Sequence, residues 1–153
     1  MDFIYSLHPK AVAVIHADSK RAILEELSSR FAQVYELDRA DVLERIEERE
    51  KLGSTGFGRG VAIPHARVPG LARPVAAFLR LDHPVDFDSA DGMPVEMVFG
   101  LLPRESGGGA HRRALAAFSR LFRNESIRDV LIHANDADAL YALLNNVTDR
   151  DAA

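Results

Sequence analysis

A chain of 153 residues, 47% hydrophobic and 27% charged, has the composition of one folded domain around one core and excludes extensive disorder. A formal net charge of -4 excludes the basic footprint of a nucleic-acid binder, and the absence of cysteine excludes disulfides and thiolate chemistry.

Asp2 stands in the region where a signal peptide carries positive charge, and no apolar run approaches the length of a membrane span. The chain therefore reads as cytoplasmic, with no direct membrane insertion. Residues 11–15 form a short apolar run suited to a buried strand. Asp18 or Ser19 caps a helix whose Ile23, Leu24, Leu27, Phe31 and Val34 recur at helical spacing. Asp38 caps a second helix with Val42, Leu43 and Ile46 on one face and Glu44, Glu47, Glu48 and Lys51 on the other; Gly53 stops it. Strands are expected over 61–64, 75–81 and 95–102. The last is apolar on nearly every residue, the pattern of a central strand covered on both faces. Residues 84–92 read as a surface connection with room for a short edge strand. Residues 103–110 read as a loop containing Gly107, Gly108 and Gly109. A helix begins near His111 with Leu115, Phe118, Leu121 and Phe122 as its stripe. Two more fit 126–133 and 136–146, and 149–153 reads as a frayed tail. The order is β-α-α-β-β-β-α-α-α, a layered α/β sandwich in a single domain over 1–153.

The densest chemical signal lies between Gly53 and His65. Four glycines (53, 56, 58 and 60) and the hydroxyls of Ser54 and Thr55 lead into Val61-Ala62-Ile63-Pro64-His65. Glycines let a backbone turn tightly and bring N–H groups close to an anion. Imidazole is the side chain most easily held neutral and nucleophilic near pH 7. Together they point to phosphoryl chemistry on His65. The segment matches neither the dinucleotide fingerprint nor the Walker pattern, because Arg59-Gly60 follows Gly58. There is no G-x-S-x-G elbow and no H-E-x-x-H pair. A nucleotide cofactor is not expected, so the phosphate arrives on another protein or on the histidine. Taken alone, the glycines also fit plain turns, Ser54 and Thr55 fit turn formers, and His65 fits a structural histidine. His65 and His111 could also ligate a metal, but no cysteine or carboxylate pattern accompanies them, and no metal is expected.

The whole string from Arg49-Glu50-Lys51 to Ala66 resembles the IIA component of the bacterial phosphoenolpyruvate-dependent phosphotransferase system, in its fructose/mannitol class and nearest its nitrogen-regulatory branch. A second landmark is H-x-x-x-L-A, here His111-Arg112-Arg113-Ala114-Leu115-Ala116. The resemblance covers almost the whole chain. It implies a three-layer α/β/α sandwich around a mixed sheet. It implies that His65 accepts, on Nε2, a phosphoryl group from a phosphohistidine on an HPr-type carrier. By the same correspondence His111 is the second active-site histidine, Arg49 sits by the phosphoryl group, and Ser54 and Thr55 belong to the loop beside it. Two positions depart from the pattern: Ala66 stands where glycine is commoner, and Gly107-Gly108-Gly109-Ala110 precedes His111 with little chemistry of its own.

Transfer between imidazoles exchanges one P–N bond for another, so positioning and charge stabilisation matter most. The acceptor tautomer must be fixed by a hydrogen bond to its other nitrogen, and Pro64 stiffens the chain there. A group of roughly -2 charge needs donors. Arg49 offers a planar fork and His111 an N–H, while Arg59 is near in sequence or faces a partner. His8, His16, His83 and His133 read as structural or surface residues. The leading function is a phosphohistidine carrier that regulates partner proteins, such as the ion transporters or sensor kinases the family suggests, in a chain with no attached IIB or IIC domain. A second reading is the IIA subunit of a fructose/mannitol-type transporter, passing phosphate to a IIB protein. A third is a non-enzymatic module whose glycine loop holds an anion.

Overall fold

The computed structural model describes residues 5–105 and 108–152, in which a five-stranded mixed sheet runs in the order β1-β4-β5-β3-β2. The elements are β1 (Ser6–Ile15), α1 (Lys20–Tyr35), α2 (Arg39–Lys51), β2 (Gly56–Gly58), β3 (Val61–Ala62), β4 (Val75–Val85), β5 (Val95–Leu102), α3 (Gly108–Arg123), α4 (Glu125–Ile132) and α5 (Ala137–Ala152). The expected order gains one strand, β2. β4 runs past its expected end at residue 81, and α3 starts at Gly108 rather than near His111. α5 passes the expected end at Asn146 into the segment read as a tail, while Gly107 and Ala153 lie outside the described residues.

Local signals explain the helices. Ser19 is the N-cap of α1, its Oγ accepting from the Ala22 N–H at 3.0 Å, and Asp38 caps α2 through the Asp41 N–H at 3.2 Å. Leu52 closes α2, and Gly53 follows at φ 152°, where a side chain would be strained. Among the described residues no helix is long and apolar enough to cross a membrane.

Alternation along the central strands divides the interior in two. On β4, Ala77 and Leu79 face α1 and α2, whereas Ala76 and Phe78 face the helices that follow β5. On β5, Val98 and Leu102 join the first core, and Met97, Phe99 and Leu101 the second. Ile23, Leu27, Phe31, Val42 and Ile46 cover one face; Phe118, Phe122, Leu131, Leu140 and Leu144 cover the other. This is the three-layer α/β/α arrangement. Gly100 permits a close approach, since a Cβ there would lie 2.8 Å from Leu27 Cδ1 and 2.9 Å from Phe31 Cε2.

β1 and β4 are parallel, β4 and β5 antiparallel, and β3 and β5 parallel. The carboxyl end of β5 therefore lies beside the amino end of β4, with Leu102 opposite Val75. The chain after β3 continues alongside β5: Leu101 N–H donates to Pro64 O at 2.9 Å, and His65 is bridged to Leu101. His65 and the start of α3 are thereby brought to the same end of the sheet.

Candidate active site

His65 sits on a backbone held on both sides. On one side lies β5. On the other, Ile63 N–H donates to Thr55 O at 3.0 Å. Two residues on, the Ile63 carbonyl accepts from His65 Nδ1 at 2.9 Å. A carbonyl can only accept, so the proton belongs to Nδ1 and Nε2 keeps its lone pair. Burial lowers the His65 pKa, and the Arg49 charge adds to this; the hydrogen bond to Ile63 and the charge of Glu50 act the other way. The ring is therefore neutral near pH 7.

His111 lies in the first turn of α3, only 7% exposed, with its ring centroid 5.3 Å from that of His65. Its Nδ1 is 2.5 Å from the Tyr5 hydroxyl. Burial raises the Tyr5 pKa, so the phenol keeps its proton. Burial, followed by the charges of His65 and Arg67, pushes the His111 pKa down to about 4. A neutral imidazole beside a buried phenol satisfies both when the O–H donates to Nδ1. His111 then carries its proton on Nε2 as a donor.

Both rings line a cleft of about 510 Å³ together with Arg45, Arg49, Arg67 and Arg112. The cations come from α2, α3 and the stretch after His65. Arg49 Nη1 is turned onto the Gly53 carbonyl at 2.8 Å, and Arg67 Nη1 onto the Glu105 carbonyl at 2.8 Å. Against four guanidiniums the lining holds one carboxylate, Glu48. Such a site suits a dianion.

Of the residues expected from sequence, His65, His111 and Arg49 come together. Ser54 and Thr55 are not among the residues lining the cleft. Ser54 Oγ donates to Phe87 O at 2.7 Å and accepts from Gly56 N–H at 3.1 Å. Thr55 hydrogen-bonds through Oγ1 to the Glu50 carboxylate, and its N–H donates to the same group at 3.0 Å. Lys20 Nζ lies 3.2 Å from Glu50, which is itself buried. Lys20, Glu50, Thr55, Ile63 and His65 thus form one connected series. In this geometry Thr55 is linked to the His65 ring through the Ile63 backbone.

The glycine segment also differs from its expected role as an anion cradle. It folds back as the β2–β3 hairpin, with Arg59 at φ 59° and Gly60 at φ 81°, the two positive values of a type I′ turn. Gly56 is required because a Cβ there would meet Ser89 Oγ at 2.4 Å. Arg59 points away from the cleft, its Nη1 donating to Arg123 O at 3.1 Å and its N–H to Asp91 at 2.8 Å. Sequence reasoning missed Tyr5, Glu50 and Arg67. Glu50 is one of several acids on α2, and its burial follows only from the packing of the loop over it. Tyr5 lies 106 residues from its partner.

A family model described as the phosphoenolpyruvate-dependent sugar phosphotransferase system, EIIA 2, matches residues 6–147. The chain is 42% identical over 137 residues to a nitrogen regulatory protein of Bradyrhizobium diazoefficiens, covering 89% of this chain and 90% of that one. It is 39% identical over 139 residues to a nitrogen regulatory protein of Pseudomonas aeruginosa, covering 90% of each. Among solved structures, the nitrogen regulatory protein IIA-Ntr of Neisseria meningitidis superposes with a TM-score of 0.84 at 39% identity, over 90% of this chain and 95% of that one.

Proposed function

This chain belongs to the EIIA 2 family of the phosphoenolpyruvate-dependent sugar phosphotransferase system, and we propose that it is a phosphohistidine carrier in which His65 accepts a phosphoryl group from an HPr-type protein and regulates partner proteins by its state of loading. The observation that carries this reading is the fixed tautomer of His65 in an arginine-rich cleft. Nδ1–H is committed to Ile63 O, so Nε2 attacks phosphorus while the donor's P–N bond breaks. The departing imidazole leaves with that bond's electron pair. No proton moves in the transfer, and no base is needed. Arg49 supplies a fixed charge and a planar fork to the equatorial oxygens, and His111 supplies Nε2–H. Arg67 and Arg112 add to the same field. Tyr5 and Thr55 are positioning residues, the first for the His111 tautomer and the second, with Glu50, for the His65 backbone. The phosphoryl group reaches the site already activated, so the step requires neither nucleotide nor metal. Its setting is the cytoplasm, where such a carrier would meet its donor.

The regulatory reading is favoured over sugar transport because the relatives at 42% and 39% identity are both nitrogen regulatory proteins. The test is incubation with phosphoenolpyruvate, enzyme I and HPr, followed by intact mass. One added phosphoryl group is expected on wild type and none on His65→Ala. An unlabelled wild type, or a fully labelled variant, refutes the assignment. Pull-downs comparing wild type with His65→Ala and His65→Asp then test whether loading changes the set of partners.

A further inference from the structure

At the opposite end of the sheet, where β1 and β4 both finish, four polar side chains converge that the phosphoryl site does not use. His16 follows β1, Asp82 and His83 lie in β4, and Asp18 precedes α1. The two imidazoles lie side by side with centroids 4.7 Å apart. Their Nδ1 atoms both face Asp82: His16 Nδ1 is 3.0 Å from each carboxylate oxygen, and His83 Nδ1 is 2.8 Å from Oδ1. Their Nε2 atoms both face Asp18, at 3.1 Å from His16 and 3.6 Å from His83.

What these contacts mean depends on where each ring carries its proton. A neutral imidazole has one N–H and one lone pair. With its proton on Nδ1 each ring donates to Asp82; with its proton on Nε2, which for His16 lies 3.1 Å from Asp18, two nitrogen lone pairs and a carboxylate converge on the other side. Among the described residues neither Asp18 nor Asp82 has a lysine or arginine ion-pair partner. In that second tautomer the three electron-rich atoms form a ligand set, and a metal ion enters it by displacing the two Nδ1 protons of the first. One ligand atom from each of His16, Asp82 and His83 lies within 4.8 Å of the other two. That span suits a single ion with metal–nitrogen and metal–oxygen bonds of about 2.0–2.2 Å. Asp18 then fills the outer position common in such centres, a carboxylate that accepts the His16 Nε2–H at 3.1 Å and lies 3.6 Å from that of His83.

We propose that His16, Asp82 and His83 form a binding site for a divalent transition-metal cation of the zinc type, with Asp18 orienting both imidazoles and water completing the coordination. Two imidazoles and one carboxylate select a borderline cation over magnesium, which prefers oxygen ligands. Occupancy ties the end of β1 to β4, remote from His65.

Isothermal titration of the metal-free protein with Zn²⁺ tests this. Binding of one equivalent is expected in wild type and in His65→Ala, the latter removing the active-site pair as an alternative. His16→Ala, His83→Ala and Asp82→Asn each weaken binding at least about tenfold, and Asp18→Asn weakens it by a smaller factor. These side chains are largely solvent-facing, so the fold tolerates the changes. Mg²⁺ in excess does not displace Zn²⁺. No measurable zinc binding in wild type overturns the proposal. So does binding that His16→Ala leaves intact, or binding that His65→Ala abolishes.

Discussion

Tyr5→Phe removes one hydroxyl and keeps the ring that packs edge-on against Phe118, 6.1 Å between centroids. The lost contact is a buried hydrogen bond to His111 Nδ1. Leaving that nitrogen without a donor costs about 1–3 kcal/mol, which the urea unfolding midpoint reads directly. The effect on transfer has a separate origin. With Tyr5 donating, the His111 proton is confined to Nε2. Without it, the proton moves to Nδ1 in part of the population, and those molecules turn a lone pair toward the incoming oxygens. A hydrogen bond to a charged group contributes about 1.5–3 kcal/mol, so complete loss of the donor slows transfer by about 10- to 100-fold. His111→Ala is expected within that range, and Tyr5→Phe at a few-fold, below it, because only part of its population loses the donor. Rapid-quench transfer from phosphorylated HPr gives the rate, and nitrogen-15 shifts of the imidazole report the tautomer. A variant that is less stable, yet transfers at the wild-type rate with unchanged His111 nitrogen shifts, refutes the positioning role.

Three further outcomes follow from the same geometry. Thr55→Val removes the hydroxyl held by the buried Glu50 carboxylate and is expected to lower unfolding free energy by about 1–3 kcal/mol, whereas Thr55→Ser restores most of it; equal midpoints for all three proteins contradict the linkage. Arg49→Gln is expected to cut the transfer rate about 100-fold, measured by single-turnover labelling of His65, with Arg49→Lys intermediate because it keeps charge and loses the planar fork. Stability should fall on acidification: His111 has a folded pKa of about 4 against an ordinary 6.5, so the unfolded chain binds the proton first. That contribution is fully present above pH 6.5, is lost as pH falls through 4, and amounts to ~3 kcal/mol. His65, also lowered, acts in the same direction, and His111→Gln flattens the urea-midpoint profile over this window.

How legible each part was depended on whether one stretch of chain carries its cause. The continuous apolar run of β5 and the helical spacing of Ile23, Leu27 and Phe31 announce their burial, because each element's environment is written along its own length. β2 has no such pattern. Gly56-Phe57-Gly58 becomes a strand only because Val61 and Ala62 pair with it and Ser89 closes over it. The convergence of His65, His111 and Arg49 on one cleft was legible because the motif quotes their surroundings. The destination of the Thr55 hydroxyl was not, because it depends on a carboxylate that α2 turns inward one helical turn earlier. Tyr5 was illegible for a plainer reason. Nothing near it in sequence states that the start of β1 lies beneath the start of α3.

The geometry also bears on how a partner could distinguish the two states. The acceptor ring cannot swing out without breaking the Ile63 contact, and Ile63 is tied through Thr55 and Glu50 to Lys20 on α1. Loading of His65, as proposed, would therefore change charge more readily than shape. An empty cleft presents Arg45, Arg49, Arg67 and Arg112 around two neutral imidazoles, rimmed by Leu115 and by Leu52, which is 85% exposed. A bound phosphoryl group places roughly two negative charges among those cations. A partner that docks an acidic surface against the apolar rim is attracted in the first state and repelled in the second. A basic donor surface experiences the reverse. On the proposed function, the same arginines that would hold the phosphoryl group also make its presence readable from outside. Their dual use requires that charge reversal at Arg112, on the rim, alter partner choice more than the rate of transfer onto His65.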